Sequence, residues 1–578
     1  MFVTKFKNIC LKIHCTCALD LALKSFIKFK TGVLKFPGFA FIVDNKNKLK
    51  GVITDGDIRR AYAKNINISS SKVADIMTKD PIVINEKVKQ NQILNVVNTL
   101  LLKKKRLEPP YIKQIVITNL RNNVVDVIDY DELYNNLTSQ EQNVCVIGLG
   151  FVGLTYAVIA ASRGHTVHGI DINNKLIKNL KKGNTDIEEP QLLQIMRNTI
   201  KQGNIKFSTN IKDSESNIYI IALDVPIKNN KPNFTNLKKA ITVLSSKLKK
   251  GDLIILRSTL PLEATAKLVI PLISKLSKMV INRDWFLSYA PERTIEGDAL
   301  KELVSLPQIL ASSSNDAFVK SENFLSTISP NIIRTKSFEE AELIKLANNS
   351  YRDLSFAFSN YISSISENFN MNSFNVINRA NSGYERSQIP CPSPGVGGYC
   401  LTKDPFLLNI SNNKKQNSSF LLESRKINSY ANLFPLRILN KFVKKFKIKK
   451  NKIHILIVGI AFKGLPETND IRGSTSLKLI KELKKKNYRN ISIYDSVLNK
   501  NNLKKINRNY SQNLQMSVKQ SDVIFIMNNN PRNIDFNINQ LKDEKKRLIF
   551  DGWSMLDGQS IEKIPNLIYS TMGYVSTS

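Results

Sequence analysis

The sequence predicts an α/β chain in which two doubly wound parallel sheets are joined by long helices and preceded by a smaller α+β unit. Three observations carry this prediction. From Val144 onward, apolar strand, glycine turn and helix recur in the order expected of a sheet with crossover helices. At 339–369, "EEAELIKLANNSYRDLSFAFSNYISSISENF" carries apolar residues at helical spacing for about eight turns without Pro or Gly. Before residue 140, strand, Asn-rich turn, strand and acidic helix start occur twice. A chain of 578 residues exceeds what one hydrophobic core holds. The boundaries predicted are 1–140, 143–335, 336–448 and 449–578.

In chain order, "GFAFIVDNKNKLKGVITDGDIRRAYAKN" (38–65) reads as strand, turn, strand and a helix opening at Asp55 to Asp57. "QIVITNLRNNVVDVIDYDELYNNL" (114–137) is a weaker copy, and the polar "TSQEQN" (138–143) separates it from the next strand. Val144 to Ala161 is almost free of polar side chains, but Gly148, Gly150 and Gly153 make it strand, tight turn and buried helix rather than a membrane span. A second long helical stretch is expected at 419–447. "KIHILIVGIAF" (452–462), "ISIYD" (491–495), "DVIFIM" (522–527) and "RLIFDGW" (547–553) are the strands of the second sheet.

Composition narrows the function classes. Hydrophobic residues at 42% and charged residues at 23% exclude a disordered or collagen-like chain. Six cysteines without a CxxC pair, beside four histidines, argue against a disulfide framework and a structural zinc; no metal site is expected. Reduced thiols and the lack of a convincing secretory signal point to a cytoplasmic protein. The net charge of +37 is spread along the whole chain with no nucleic-acid-binding motif, so the expected partners are anionic small molecules, not nucleic acid or membrane.

Three motifs carry chemistry. In "VCVIGLGFVGLTYAVIAASRGHTVHGIDIN" (144–173), Gly148 permits the tight turn, Gly150 lets a pyrophosphate approach the backbone and Gly153 lets helix and strand pack closely. The helix N-terminus offers free N–H groups to phosphate, and Asp171 stands where a carboxylate takes the ribose hydroxyls of NAD. In "PSPGVGGYCLTKDP" (392–405), kinks at Gly and Pro surround Cys400, with Lys403 and Asp404 within one turn; a nearby cation would lower the thiol pKa toward the thiolate. The same pattern also suits a small Cys buried in a tight loop. In "ELIKLANN" (342–349), Lys345 and Asn349 share one helical face, either snorkelling or placed against a developing oxyanion.

With these motifs the chain resembles the nucleotide-sugar 6-dehydrogenases, the UDP-glucose, UDP-N-acetylmannosamine and UDP-N-acetylglucosamine enzymes, over roughly residues 143–578. The similarity includes "RSTLP" (257–261), "APER" (290–293), "ESRKIN" and "GIAFKGLPETNDIRGS" (459–474). It implies two Rossmann-like domains joined by central helices, with NAD held by Gly148, Gly150, Phe151, Val152, Gly153, Asp171 and Thr259. It implies four-electron oxidation of the C6 alcohol of a UDP-sugar to the uronate, for surface polysaccharide. Cys400 would form a thiohemiacetal and then a thioester. Lys345 and Asn349 would stabilise the oxyanion, Asp404 would orient water and Lys345, and Glu292 and Thr259 would serve the water network. Arg386 from a neighbouring subunit, Gly397, Gly398, Lys463 and Arg472 would meet the substrate, in a homodimer or higher oligomer. "PGVGG" is more similar to the N-acetylhexosamine branch than to the glucose branch. The sequence departs from the family pattern at Val225, where Thr is usual, at Glu263, where Gly is usual, and at Tyr399, where His or Ser is common.

The N-terminal unit resembles a cystathionine-β-synthase-type (CBS) domain pair. The resemblance implies a regulatory adenine-nucleotide site at Thr54 and Asp57, while Asp126 and Asp129 replace the Gly and the Thr in the second copy. Two other readings compete with the dehydrogenase: a two-electron hydroxyacid or hydroxyacyl dehydrogenase, and a non-catalytic nucleotide sensor.

Overall fold

The computed structural model describes residues 3–576 apart from 8, 29–33, 37, 64–65, 68–69, 89–95, 98–99, 101–113, 130–141, 230, 330 and 413–418. The chain divides into two compact units, 1–141 with 323–331, and 142–322 with 332–578.

The predicted duplication is visible inside the first unit. Strands Phe39–Val43 and Leu49–Thr54 form an antiparallel hairpin with a register shift at Ile42/Val43, and Gln114–Thr118 with Val124–Asp129 repeats it with a shift at Ile117/Thr118. The turns match atom for atom. Asp44 Oδ1 accepts from the N–H groups of Lys46 and Lys48, and Asn119 Oδ1 accepts from those of Arg121 and Asn123. Asn47 (φ 57°) and Asn122 (φ 62°) both stand in the left-handed region, where Asn is the side chain best tolerated after Gly. The two turns meet, Leu49 N–H donating to the Asn122 carbonyl at 3.0 Å. Registers place Gly51 and Asp126 at equivalent positions, and likewise Thr54 and Asp129. The helix start expected after Asp129 lies outside the described residues.

In the second unit an eight-stranded sheet runs Ile205–Ser208, Thr166–Ile170, Asn143–Ile147, Ile218–Ile221, Asp252–Leu256, Trp285–Tyr289, Gln308–Ser312 and Ile332–Arg334. All neighbours are parallel except Trp285–Tyr289 with Gln308–Ser312. The order reverses beside Asn143–Ile147, so the carboxyl end of that strand opens the crevice where such sheets bind ligands. Helix Phe151–Ser162 is buried on nearly every side, which explains its continuous apolarity. Among the described residues no helix is long and apolar enough to cross a membrane.

A second sheet runs Ile491–Tyr494, Ile455–Val458, Val523–Ile526, Arg547–Asp551, Leu567–Thr571 and Tyr574–Val575. Its last two strands were not read from the sequence. Between the sheets lies helix Phe338–Asn368, with Ser337 as N-cap accepting from Glu340 N. Its apolar residues divide between two faces, with Ala341, Leu346 and Ala357 buried. Tyr351 (71% exposed), Phe358, Tyr361 and Ile365 lie outward, while Lys345, Asn349, Asp353 and Asn360 are buried. The expected single helix at 419–447 is two, Phe420–Ala431 and Phe434–Lys445, because Pro435 cannot donate within a helix interior and sits in a new first turn.

Candidate active site

The glycine turn has the geometry a dinucleotide needs. Gly148 has φ 92°, and a Cβ on Gly153 would stand 1.7 Å from the Gly148 carbonyl oxygen, so neither position admits a side chain. Gly150, by contrast, faces open space. It is also the N-cap of helix Phe151–Ser162 and supplies no side-chain cap, so first-turn N–H groups at Phe151 and Val152 are offered outward. Asp171 Oδ2 accepts from Leu149 N at 2.9 Å and Oδ1 from Asn173 N at 2.9 Å, holding a carboxylate against the turn. These residues fit NAD: a bare cradle, a helix N-terminus for phosphate and an anion for ribose.

Around Cys400 the long helix and helix Tyr399–Ile410 pack side by side. Gly398 (φ 83°) lets the chain enter the latter, so the thiol stands in its first turn. The long helix brings Lys345 (6% exposed) and Asn349 to this site, and Asn349 Nδ2 donates to Asp404 Oδ2 at 2.6 Å. Asp404, fully buried, forms its ion pair with Lys403 at 2.9 Å. The Cys400 side chain is solvent-accessible on one side, but the protein packed around the cleft pushes its thiol above the usual value. Asp404 adds to that rise, and Lys345 and Lys403 oppose it without reversing it. The expected lowering by a nearby cation therefore does not hold; desolvation, and after it the anion within the same helical turn, outweighs it.

Glu292 is buried, and its carboxylate is engaged. It pairs with the fully buried Arg257 and accepts from Arg293 N and Thr294 N at 2.7 and 2.9 Å. Burial pushes its pKa up, but the Arg257 charge and these hydrogen bonds hold it below the usual range. Arg257 lies 4.2 Å from the Tyr156 ring centroid and donates to Gln308, so the pair braces the end of strand Asp252–Leu256. Thr259, half-buried, follows on that loop.

The second sheet contributes Lys463 and Arg472. Lys463 Nζ donates to the Glu296 carbonyl at 2.5 Å, and burial lowers its pKa to about 8. Arg472 pairs with Asp470 at 2.7 Å and Glu296 at 3.3 Å, and its guanidinium lies 5.1 Å from the Tyr399 ring centroid. Burial, then the Asp470 charge, raises Glu296 to about 7. Gly397 and Gly398 press against Gly473 and Phe462, leaving no room for a Cβ. Arg386 is exposed, 5.5 Å from the Tyr384 ring centroid, and makes no hydrogen bond or ion pair with the Cys400 group among the described residues. In the first unit Thr54 and Asp57 bond each other, Thr54 N and Oγ1 both donating to Asp57 Oδ2 at 2.8 Å, and Arg60 pairs with Oδ1.

Sequence reasoning missed Glu296, the Arg257 partner of Glu292 and the carboxylate of Glu342. Arg257 carries a readable signal, a cation ending the apolar run "DLIIL". Glu342 does not: it accepts from Glu263 N, Thr265 N and Thr265 Oγ1 across the fold.

A doubly wound sheet with a bare glycine turn at a helix N-terminus, in one unit with a thiol flanked by buried cations and an amide, fits an NAD-dependent oxidoreductase. Comparison with known proteins narrows the class. The NAD-binding, central and UDP-binding domains of the UDP-glucose/GDP-mannose dehydrogenase family match residues 142–325, 339–430 and 456–558, and a CBS domain matches 22–64. The chain belongs to the UDP-glucose/GDP-mannose dehydrogenase family. It is 29% identical over 415 residues to the UDP-N-acetyl-D-mannosamine dehydrogenase of Pyrococcus horikoshii, covering 72% of this chain and 96% of that one. It is 32% identical over 361 residues to the enzyme of the same name from Methanococcus maripaludis, covering 61% and 79%. Among solved structures, the P. horikoshii UDP-D-ManNAc dehydrogenase aligns with a TM-score of 0.66 at 27% identity, over 74% of this chain and 99% of that one. The Staphylococcus aureus UDP-N-acetyl-mannosamine dehydrogenase aligns at 0.64 and 25%, over 74% and 98%.

Proposed function

We propose that the chain oxidises the C6 alcohol of a UDP-N-acetylhexosamine, with N-acetylmannosamine the first candidate, to the uronate in two successive two-electron steps through Cys400. The observation that carries this is the packing of Cys400 against the Lys345–Asn349 face of the long helix. NAD held at the glycine turn supplies the hydride acceptor. The Cys400 thiol adds to the C6 aldehyde as a thiohemiacetal, whose oxidation leaves a thioester; water then cleaves the C–S bond, returning the thiol and releasing the carboxylate. Lys345 and Asn349 donate to the oxygen that gains charge at C6, in a site whose burial strengthens such donors. Because the thiol is held above its usual pKa, it needs its proton removed as the bond forms. Asp404 keeps Asn349 aimed while its own charge is balanced by Lys403. Glu292, engaged by Arg257, serves as a brace for the Thr259 loop and not as a free base.

Names of relatives support the N-acetylmannosamine assignment, as does the "PGVGG" loop. Lys463 and Arg472 bind the UDP moiety once they exchange their Glu296 contacts for phosphate. The outward aromatic row Tyr351, Phe358 and Tyr361 supports a homodimer, in which Arg386 of a second copy reaches the sugar. Thr54 and Asp57 form a regulatory adenine-nucleotide site after exchanging their mutual bonds for ligand.

The test is NADH release across a panel of UDP-sugars, for wild type and Cys400→Ser. Two NADH per sugar for one member, lost in the variant beyond the aldehyde stage, is the expected result. One NADH per substrate would refute the thioester route. Repeating the panel with ATP, ADP and AMP tests the regulatory site, which an unchanged turnover would refute.

A further inference from the structure

The long helix buries an ion pair that the reaction chemistry above does not use. Asp353, fully buried, accepts from Arg425 Nη1 at 2.5 Å and from Asn428 Nδ2 at 2.9 Å, both from helix Phe420–Ala431. Asn428 Oδ1 in turn accepts from Asn360 Nδ2 at 2.9 Å. Every member is at least nine-tenths buried. Such a pair costs desolvation that apolar side chains of the same volume avoid, so stability alone does not account for it.

What the network grips is the loop that leads to the thiol. Asn360 Oδ1 accepts from Ser393 N at 2.9 Å. Asn432 Nδ2 donates to the Pro394 carbonyl at 3.1 Å and to the Thr475 carbonyl at 3.0 Å. Arg425 Nη2 donates to the Val396 carbonyl at 3.3 Å. Backbone groups at 393 and 396 are thus held by helical side chains and that at 394 by Asn432 in the turn after helix Phe420–Ala431, and Gly395 (φ 85°) lies so close to Asn432 that a Cβ there would come within 2.9 Å of it. Downstream of the thiol, Asn349 on the same long helix holds Asp404. Lys345, Asn349 and Asp353 are four residues apart on one helical face, with Asn360 two turns further. One rigid helix therefore holds the Cys400 segment on both sides and also carries the donors that face it.

We infer that Asp353, Arg425, Asn428, Asn360 and Asn432 are positioning residues that fix the 393–398 loop and thereby set the place of Cys400 Sγ relative to Lys345 and Asn349. The inference rests on the reading of Cys400 as the nucleophile. Asp353→Asn leaves the Arg425 guanidinium buried without its anion, and the guanidinium then releases Val396. Misplacement of a nucleophile by about 1 Å costs on the order of 10²-fold in rate.

The test uses the full chain as Asp353→Asn, Arg425→Gln, the double variant and Asn432→Ala, checked for folding by circular dichroism. The first readout is iodoacetamide alkylation of Cys400 followed by peptide mass, which needs no sugar. A shift of about fivefold or more at Cys400, with Cys15 of the first unit unchanged, is expected in the single variants. The second readout is turnover with whichever UDP-sugar the wild type oxidises: kcat falls about 10²-fold while KM for NAD stays within about twofold, and the double variant is no worse than the poorer single. Alkylation within twofold of wild type in every folded variant, or strictly additive losses in the double, overturns the proposal. Should Asp353→Asn fail to fold, Asn432→Ala, which strands no charge, decides. Should no UDP-sugar release NADH from the wild type, the functional reading fails, and the alkylation rates still decide the positioning role.

Discussion

Replacing Asp404 by Asn should make the thiol at Cys400 more reactive and the enzyme less active. The carboxylate lies one helical turn from the thiol, a separation of about 5–6 Å. At an effective dielectric of about 20, a unit charge at that distance disfavours the thiolate by roughly 3 kcal/mol; at the solvent value the figure is nearer 0.7. These limits correspond to about a 3- to 100-fold change in the balance between thiol and thiolate. Desolvation, the larger cause of the raised pKa, remains, and Lys345 and Lys403 then act on the thiol without the opposing charge. Turnover should fall, because Asn349 loses a charged acceptor at 2.6 Å and Lys403, only 7% exposed, loses its partner at 2.9 Å. The stability cost of stranding that ammonium is about 3–5 kcal/mol. The assay is the iodoacetamide rate at Cys400 against pH, beside NADH release. An alkylation rate at pH 7 that is unchanged or slower in Asp404→Asn would refute the electrostatic account.

Gly153→Ala should abolish NADH binding, measured by quenching of protein fluorescence, because its Cβ would overlap the Gly148 carbonyl oxygen at 1.7 Å; a Kd within twofold of wild type would exclude this geometry. Glu342, fully buried, is raised by burial to about 7 against an ordinary 4.5, so its folded form prefers the proton. Stability tied to that group is present below pH 4.5 and is lost as pH rises through about 7, by at most about 3 kcal/mol. The Tm difference between wild type and Glu342→Gln should therefore narrow from pH 5 to pH 8, and a constant gap would count against it. Glu263→Gly should raise Tm modestly. Relief of the left-handed backbone at φ 66° is worth about 1–2 kcal/mol, set against about 0.5–1 for the added freedom of Gly. A lowered Tm would show that the exposed Glu263–Lys267 pair matters more than the backbone.

What the sequence determined by itself is whatever depends on neighbours along the chain. The glycine turn, Asp171 at its strand end, the duplicated hairpins and the Lys345–Asn349 spacing were all legible, because period and turn chemistry are local. Even the departure at Glu263 has a local cause, a position that demands positive φ. Tertiary structure decided which groups face each other. Lys403 is Asp404's neighbour in the chain, but only packing of the two helices brings it Asn349; the thiol pKa rises because that packing also removes water. Tyr351, Phe358 and Tyr361 turn outward on the long helix, which the period alone did not decide, since it shows that a stripe exists but not what covers it. Asp353 and Arg425 stand 72 residues apart, and their pairing exists only because the long helix and helix Phe420–Ala431 run side by side. A charge in a sequence reads as a solvated face until the fold supplies the counter-charge and removes the water.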